Sequence, residues 1–361
     1  MEKKRKIILI ISLSLVSATV TYFGFGIIGT HISNESFFNV RSTSEETLMD
    51  DYYYRIQNVR TDYPNMAIRE EITFKSNKDE LRGYLYEVNN PVGVIVAAHG
   101  INSLADGAQA QYHNYFLEHN WDVFTFDMPG CGRSSGTMHS LIESRVAVKN
   151  AVETIQKHEK TKDLPLCLIG HSWGAYGVVT ASNDLDGVSA VAAFSGYDSP
   201  AEIMYGFAIN YFSPTLCVTK PALYTGLSLL KGSSAFYTGH EAIKNNPDIQ
   251  YVIYQGDLDE VVPLKHYSIY DNIVKKNYSN ITPVLLEGVG HVEPWKSKEA
   301  NEYIDNVITP ELDELKKEYG NKLPEDVFNE FMTHIDKEKA SGLDLPLLDN
   351  LNQLFLDSVN K

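Results

Sequence analysis

This sequence predicts an α/β fold: a mostly parallel sheet covered by helices on both faces. Three observations carry that expectation. Short continuous apolar runs alternate with helical stretches between residues 72 and 308, as buried parallel strands alternate with their crossovers. One run, Leu166 to Ile169, stops at the corner Gly170-His171-Ser172-Trp173-Gly174 and continues into a small-residue helix. Between Tyr197 and Asn246 the alternation lapses, and a lapse that long reads as an inserted helical cap rather than an ordinary loop.

The elements follow in chain order. Lys3, Lys4, Arg5 and Lys6 precede an apolar run from Ile7 to about Gly29. At about 1.5 Å per residue this run reaches roughly 34 Å, enough to cross a hydrocarbon core of about 30 Å. The cations stay cytoplasmic by the positive-inside rule, which sends the following domain outward. The expectation is a single-pass membrane anchor over residues 1–30. A cleaved signal peptide, giving a secreted protein, is the competing reading, with Ile7 to Val16 as its apolar region and Val16-Ser17-Ala18 as a small-residue cleavage site. Residues 31–71 read as a polar spacer passing into one or two helices.

Residues 72–308 form the main domain. ITFKS and LRGYLYEV alternate as a hairpin around Asn77-Lys78-Asp79. VGVIVAAHG, DVFTFD and the Leu166 run are buried strands, separated by helical stretches over Ala108 to His119 and Leu141 to Glu159. VSAVAAFS, IQYVIYQG and PVLLEGVGH complete the sheet. The cap insertion, about residues 198–246, carries Tyr205, Phe207, Tyr211, Phe212, Tyr224, Phe236 and Tyr237. Residues 309–361 form a C-terminal helical extension in which Phe328, Phe331, Met332 and Ile335, then Leu348, Leu351, Leu354 and Phe355, recur at helical spacing.

The net charge of −16 argues against nucleic acid, because phosphate binding needs a basic face and no basic stripe follows the first six residues. Three cysteines, Cys131, Cys167 and Cys217, without C-x-x-C or paired histidines at zincin spacing, give neither a disulfide framework nor a metal site. No cofactor is expected. The chemistry lies in the corner instead. G-x-S-x-G holds a serine hydroxyl at a strand end. A serine becomes nucleophilic only when an imidazole takes its proton and a carboxylate orients that imidazole. Later strand ends supply both in that order: Asp257, Asp259 and Glu260 after IYQG, then His291 after Gly288 and Gly290.

With these motifs in register, the chain resembles the α/β-hydrolases, more narrowly the group of monoacylglycerol lipases, small esterases and serine aminopeptidases. The likeness covers about residues 72–308: the elbow, His99-Gly100, D-x-P-G-x-G-R-S-x-G from Asp127 to Gly136, G-x-x-D-x-x-V-P from Gly256 to Pro263, and Gly290-His291. It implies an α/β-hydrolase fold with Ser172, Asp259 and His291 as triad. Asp259 is chosen because it occupies the D of G-x-x-D. It also implies oxyanion donors on the backbone N–H groups of Ile101 and Trp173. Cys131 departs from the family pattern, which has a polar residue there.

The expected function is hydrolysis of a carboxylic ester, acylglycerol-like or another small acyl ester, through an acyl-enzyme. The alternatives are a serine aminopeptidase, with Glu202 or Asp198 as subsite for the substrate amine, and a membrane-tethered binding module without chemistry. The sequence does not specify acyl length or oligomeric state.

Overall fold

The computed structural model describes residues 2–39, 41, 68–107, 109–209, 218–276 and 278–360. Eight strands form one sheet in the order β1-β2-β4-β3-β5-β6-β7-β8. They are β1 (Ile68–Ser76), β2 (Asp79–Glu87), β3 (Gly93–Ala98), β4 (Trp121–Phe126), β5 (Leu166–His171), β6 (Val188–Phe194), β7 (Gln250–Gly256) and β8 (Ile281–Leu286). The β1–β2 hairpin is antiparallel and joins β4 in the same sense. Every other pairing is parallel. The fold class read from the sequence is therefore the one observed.

The strands are apolar throughout because both sheet faces are covered. Alternate residues point to opposite sides: Val94, Val96 and Leu168 enter one core, Ile95, Cys167 and Ile169 the other. The first core is closed by α3 (Glu143–Ile155) and α4 (Trp173–Ala181). The second is closed by α2 (Ala110–Glu118) and, from the far end of the chain, α10 (Leu345–Val359). Leu348, Leu351 and Phe355 of α10 are fully buried. Trp121 donates to Asn352 Oδ1 at 2.8 Å, and Tyr115 donates to Asp349 Oδ1 at 2.6 Å. The C-terminal stripe is thus a sheet-covering face. Before it, α8 (Thr309–Tyr319) and α9 (Glu325–His334) gather Leu312, Phe328 and Phe331 into a small cluster of their own.

Two boundaries differ from the sequence reading. β1 starts at Ile68, before Ile72. β8 runs from Ile281 to Leu286, so that the glycines beyond it belong to a loop, with Gly288 at φ 75°. Pro283 is tolerated there because β8 is the sheet's edge.

The insertion is helical. It comprises α5 (Pro200–Phe207), capped by Ser199, then α6 (Lys220–Lys231) and α7 (Gly239–Asn245). Ala201 of α5 and Leu227 of α6 share a cluster with Ala235. α7 lies on the main body instead: Ala242 and Ile243 are fully buried in the first core. Tyr211, Phe212 and Cys217 of the insertion fall outside the described residues, as do residues 42–67 of the spacer. At the N-terminus α1 (Glu2–Phe37) is one continuous helix. Within Ser12–Phe37 an 18-residue stretch has mean hydropathy 1.5 and is little buried, long and apolar enough to cross a membrane or to serve as a signal sequence.

Candidate active site

Ser172 stands between β5 and α4 at φ 53° and ψ −113°, a region a non-glycine residue adopts only under constraint from its surroundings. The constraint is visible. The Ser172 N–H donates to Phe194 O on β6 at 2.8 Å, and its carbonyl accepts from Tyr176 N–H within the new helix. α4 is pressed so close to β3 that a Cβ at Gly174 would lie 2.1 Å from Ala98 O. No side chain fits there, which is why the corner needs its glycine.

From this corner a chain of hydrogen bonds runs through two later loops. Ser172 Oγ lies 2.9 Å from His291 Nε2, and His291 Nδ1 lies 2.9 Å from Asp259 Oδ2. Asp259 is saturated. Its Oδ1 accepts the N–H groups of Val261 and Val262 at 3.0 and 2.8 Å, and its Oδ2 also accepts from Gln255 Nε2 at 3.0 Å. Burial works to raise this carboxyl. The hydrogen bond and charge of His291 and the Val262 N–H outweigh it, so the group lies below its ordinary range and is ionised at neutral pH. An ionised Asp259 holds the proton of His291 on Nδ1 and leaves Nε2 bare toward the serine.

Asp257, the neighbouring carboxylate, does something else. Its Oδ1 accepts the Gly288 N–H at 2.7 Å and so shapes the turn leading to His291. Glu260 lines a cleft between the cap and the Asp259 loop, together with Ile203, Gly206, Phe207, Val261, Pro263 and Tyr267.

Of the two residues expected to supply oxyanion donors, Trp173 follows the serine directly and Ile101 follows Gly100, which approaches it. Trp173 opens α4, where the first N–H groups of a helix lack intrahelical partners. Its indole is buried and donates to Leu141 O at 3.0 Å. Ile101 follows the loop after β3, where a side chain on Gly100 would come 3.3 Å from Ser172 Cβ. The Gly100 carbonyl is turned into the His99 ring, 2.7 Å from Nδ1, so the trans peptide directs the Ile101 N–H to the other side.

Three residues have roles that the sequence reading did not assign. His99 accepts the Met128 N–H on Nε2 at 2.9 Å and donates from Nδ1 to Gly100 O; burial pushes it down to about 4, so it stays neutral. His171, inside the elbow itself, donates from Nε2 to His291 O at 2.8 Å, and burial pushes it down to about 3. Gln255 ties Asp259 to Val262 O. Each adjoins a motif glycine, the only signal available in the sequence. Asp127 of the D-x-P-G motif turns out to be scaffold: its carboxylate accepts the N–H groups of Ala105 and Arg133. Cys131 and Cys167 are buried thiols. Among the described residues no cluster of histidine, cysteine and carboxylate side chains suits a metal ion.

The subsites imagined for a substrate amine are occupied. Glu202 Oε2 is paired with Lys220 Nζ at 2.9 Å, and Asp198 binds both the backbone and the ring of His240 at 2.8 and 2.7 Å.

The chain is similar to several known proteins. A family model described as serine aminopeptidase, S33, matches residues 89–202, the stretch from β3 through the elbow into α5. The uncharacterized protein YfhR of Escherichia coli K12 is 23% identical over 266 residues, covering 71% of this chain and 84% of its own. Among solved structures, the esterase Pf2001 of Pyrococcus furiosus is 16% identical with a TM-score of 0.48, covering 74% of this chain and 91% of that one. Est1E of Butyrivibrio proteoclasticus, solved with ferulic acid, is 18% identical with a TM-score of 0.47 and coverages of 67% and 99%.

Proposed function

From the premise that the chain belongs to the α/β-hydrolase superfamily, we propose that it is a serine hydrolase that cleaves a carboxylic ester through an acyl-enzyme. The observation that carries the reading is the unbroken chain from Ser172 Oγ through both nitrogens of His291 to Asp259, with 2.9 Å at each step.

Ser172 Oγ attacks the carbonyl carbon while His291 Nε2 takes its proton. Asp259 holds the ring in the required tautomer and stabilises the imidazolium. The tetrahedral oxyanion is received by the backbone N–H groups of Trp173 and Ile101, each worth roughly 3 to 4 kcal/mol in the transition state. His291 then protonates the departing alkoxide. A water, deprotonated by the same nitrogen, attacks the acyl-enzyme, and the carboxylic acid leaves. Every proton is accounted for by one imidazole, so the cycle calls for no cofactor.

The lining of the cleft supports the substrate class. Ile203, Phe207, Val261 and Pro263 offer an apolar wall beside the Asp259 loop, which suits an acyl group. The name of the matching family model favours a second reading, release of N-terminal residues from short peptides. Against it, the two carboxylates expected to receive a substrate amine already hold Lys220 and His240. A binding module that had lost its chemistry is disfavoured by the presence of all three side chains at hydrogen-bonding distance. The N-terminal helix is read as an uncleaved anchor with the hydrolase domain outside.

A fluorophosphonate probe tests the nucleophile. A chain-length series of nitrophenyl esters beside an aminopeptide amide tests the substrate class. Labelling at Ser172 with ester turnover and no amide turnover is the expected outcome. Amide turnover exceeding ester turnover reverses the assignment, and absence of labelling removes the enzyme reading.

A further inference from the structure

α1 does not stand apart from the hydrolase domain. Three contacts seat it on α6 of the cap and on Val218 just before it, and they share a spacing. The Tyr22 hydroxyl donates to Val218 O. A Cβ on Gly26 would lie 2.3 Å from Ala222 Cβ, and one on Gly226 would lie 2.5 Å from Thr30 Oγ1. Residues 22, 26 and 30 therefore meet residues 218, 222 and 226 in order, four by four, in a parallel pair. Only small side chains allow backbones this close, the mode of packing that membrane helices use. Thr30 is buried in the seam and returns its hydroxyl to Gly26 O at 2.7 Å.

This register fixes the depth of the cap. Tyr22 precedes Gly29, the end of the apolar run, by about 10 Å at 1.5 Å per residue. Val218, opposite Tyr22, sits at the same depth, and the Gly226–Thr30 contact lies near the outer boundary. Val218 is 68% exposed in the protein, an apolar side chain presented outward at hydrocarbon level. Lys220, about 9 Å below that contact at 1.5 Å per residue, meets what a cation at that depth requires. It has a counter-ion in Glu202 at 2.9 Å, and the rings of Tyr205 and Tyr224 lie 4.7 and 5.1 Å from its ammonium.

We propose that the start of α6 is embedded with α1 in the outer leaflet of the bilayer, so that the cap opens onto lipid and the enzyme takes its ester from the membrane. The proposal rests on the anchor reading and deepens it. α6 packs on α5 through Leu227 and Ala201, and α5 supplies Ile203 and Phe207 to the cleft beside the Asp259 loop. One side of the cap thus holds the membrane while the other faces the candidate catalytic loops. The substrate class that fits is a long-chain acyl ester resident in the leaflet, delivered without its chain crossing water.

The test uses the full chain in phosphatidylcholine vesicles containing lipid spin-labelled along its acyl chain. Tryptophan is introduced singly at Leu15, Val218 and Leu345; all three positions are exposed, and Leu345 lies on the C-terminal extension. Quenching at positions 15 and 218 but not at 345 is expected. Quenching at 15 without quenching at 218 overturns the proposal while the anchor stands. No quenching at 15 removes the anchor and the proposal with it. A kinetic arm uses Val218→Asp, an exposed site where folding is not at stake. Turnover of a long-chain monoacylglycerol within the vesicles should fall about tenfold or more, the scale of one lost apolar contact. Turnover of a soluble butyrate ester should stay within about twofold of the unchanged protein. Equal retention of both activities refutes delivery from the leaflet.

Discussion

Asp259→Asn is the most informative single change, because the structure dictates what the amide must do. Asp259 accepts four hydrogen bonds: Val261 and Val262 on one oxygen, Gln255 and His291 on the other. An asparagine has one acceptor oxygen and one NH₂ group. The two backbone N–H groups are fixed, so the oxygen turns to them and the NH₂ faces Gln255 and His291. The Gln255 side-chain amide, already donating to Val262 O at 3.0 Å, then points a donor at a donor. His291 answers by moving its proton to Nε2, so that Nδ1 can accept. That nitrogen is the one facing Ser172, and a protonated Nε2 is no base. A triad carboxylate replaced by its amide lowers kcat by about 10⁴, or roughly 5.5 kcal/mol. The assay is steady-state hydrolysis of a nitrophenyl butyrate by the full chain, with thermal unfolding as a control for integrity. Asp257→Asn serves as comparison, since its single bond from Gly288 N–H can be accepted equally by an amide oxygen; a loss within about threefold is expected. If Asp257→Asn is the crippled variant and Asp259→Asn retains activity, the tautomer argument is wrong and the orienting carboxylate has been misassigned.

Further outcomes follow from the same geometry. Ser172→Ala should abolish fluorophosphonate labelling and ester turnover while leaving the circular dichroism spectrum unchanged; substantial residual hydrolysis would refute the mechanism. Phe207→Ala should cut kcat/KM for long acyl esters by roughly ten- to a hundredfold, the value of burying one such ring, and leave acetyl esters nearly unaffected. A uniform loss across chain lengths would show that Phe207 only packs the cap; Phe212, the other aromatic expected to line the cleft, lies outside the described residues. Removal of residues 1–29 should move the protein from the membrane to the soluble fraction with its butyrate esterase activity retained. Recovery of the full-length protein as a soluble secreted form beginning near Thr19 would instead identify a signal peptide. Finally, burial pushes His99 to about 4 and His113 and His171 to about 3, whereas an unfolded histidine titrates near 6.5. These folded values are depressed, so their contribution is fully present above pH 6.5 and is lost as pH falls toward 4 and then 3. Urea unfolding should take up about three protons in that window; a midpoint flat between pH 6.5 and 4.5 would contradict it.

Much of the site was legible because its pieces are local. The Ser172 elbow declares itself by glycines on both sides of a serine between a strand and a helix, and these are positions where close backbone approach forbids a side chain. Asp259 and His291 could be ordered along the chain because parallel strands deliver their C-terminal ends to one edge. What was not legible involved partners distant in sequence. Nothing near His171 announces that its ring holds the His291 carbonyl, 120 positions away. Gln255 reads as an ordinary strand residue until the loop after Gly256 folds back over it. Asp127 and its glycines look like chemistry and serve as a turn.

The sequence by itself determined the layered α/β architecture, the apolar N-terminal helix and the candidates Ser172 and His291, because periodicity and turn chemistry act over a few residues; among Asp257, Asp259 and Glu260, the family resemblance pointed to Asp259. The tertiary structure alone decided three other matters. The C-terminal stripe of α10 covers the sheet, since the second face presents Trp121 and Phe116 to whatever helix reaches them. Glu202 and Asp198 are each held by a partner within the protein, since Lys220 and His240 arrive from later elements. And α1 meets the cap through Gly26 and Thr30, a contact between residues nearly 200 positions apart that depends on backbone proximity, and neither segment names its partner in the sequence.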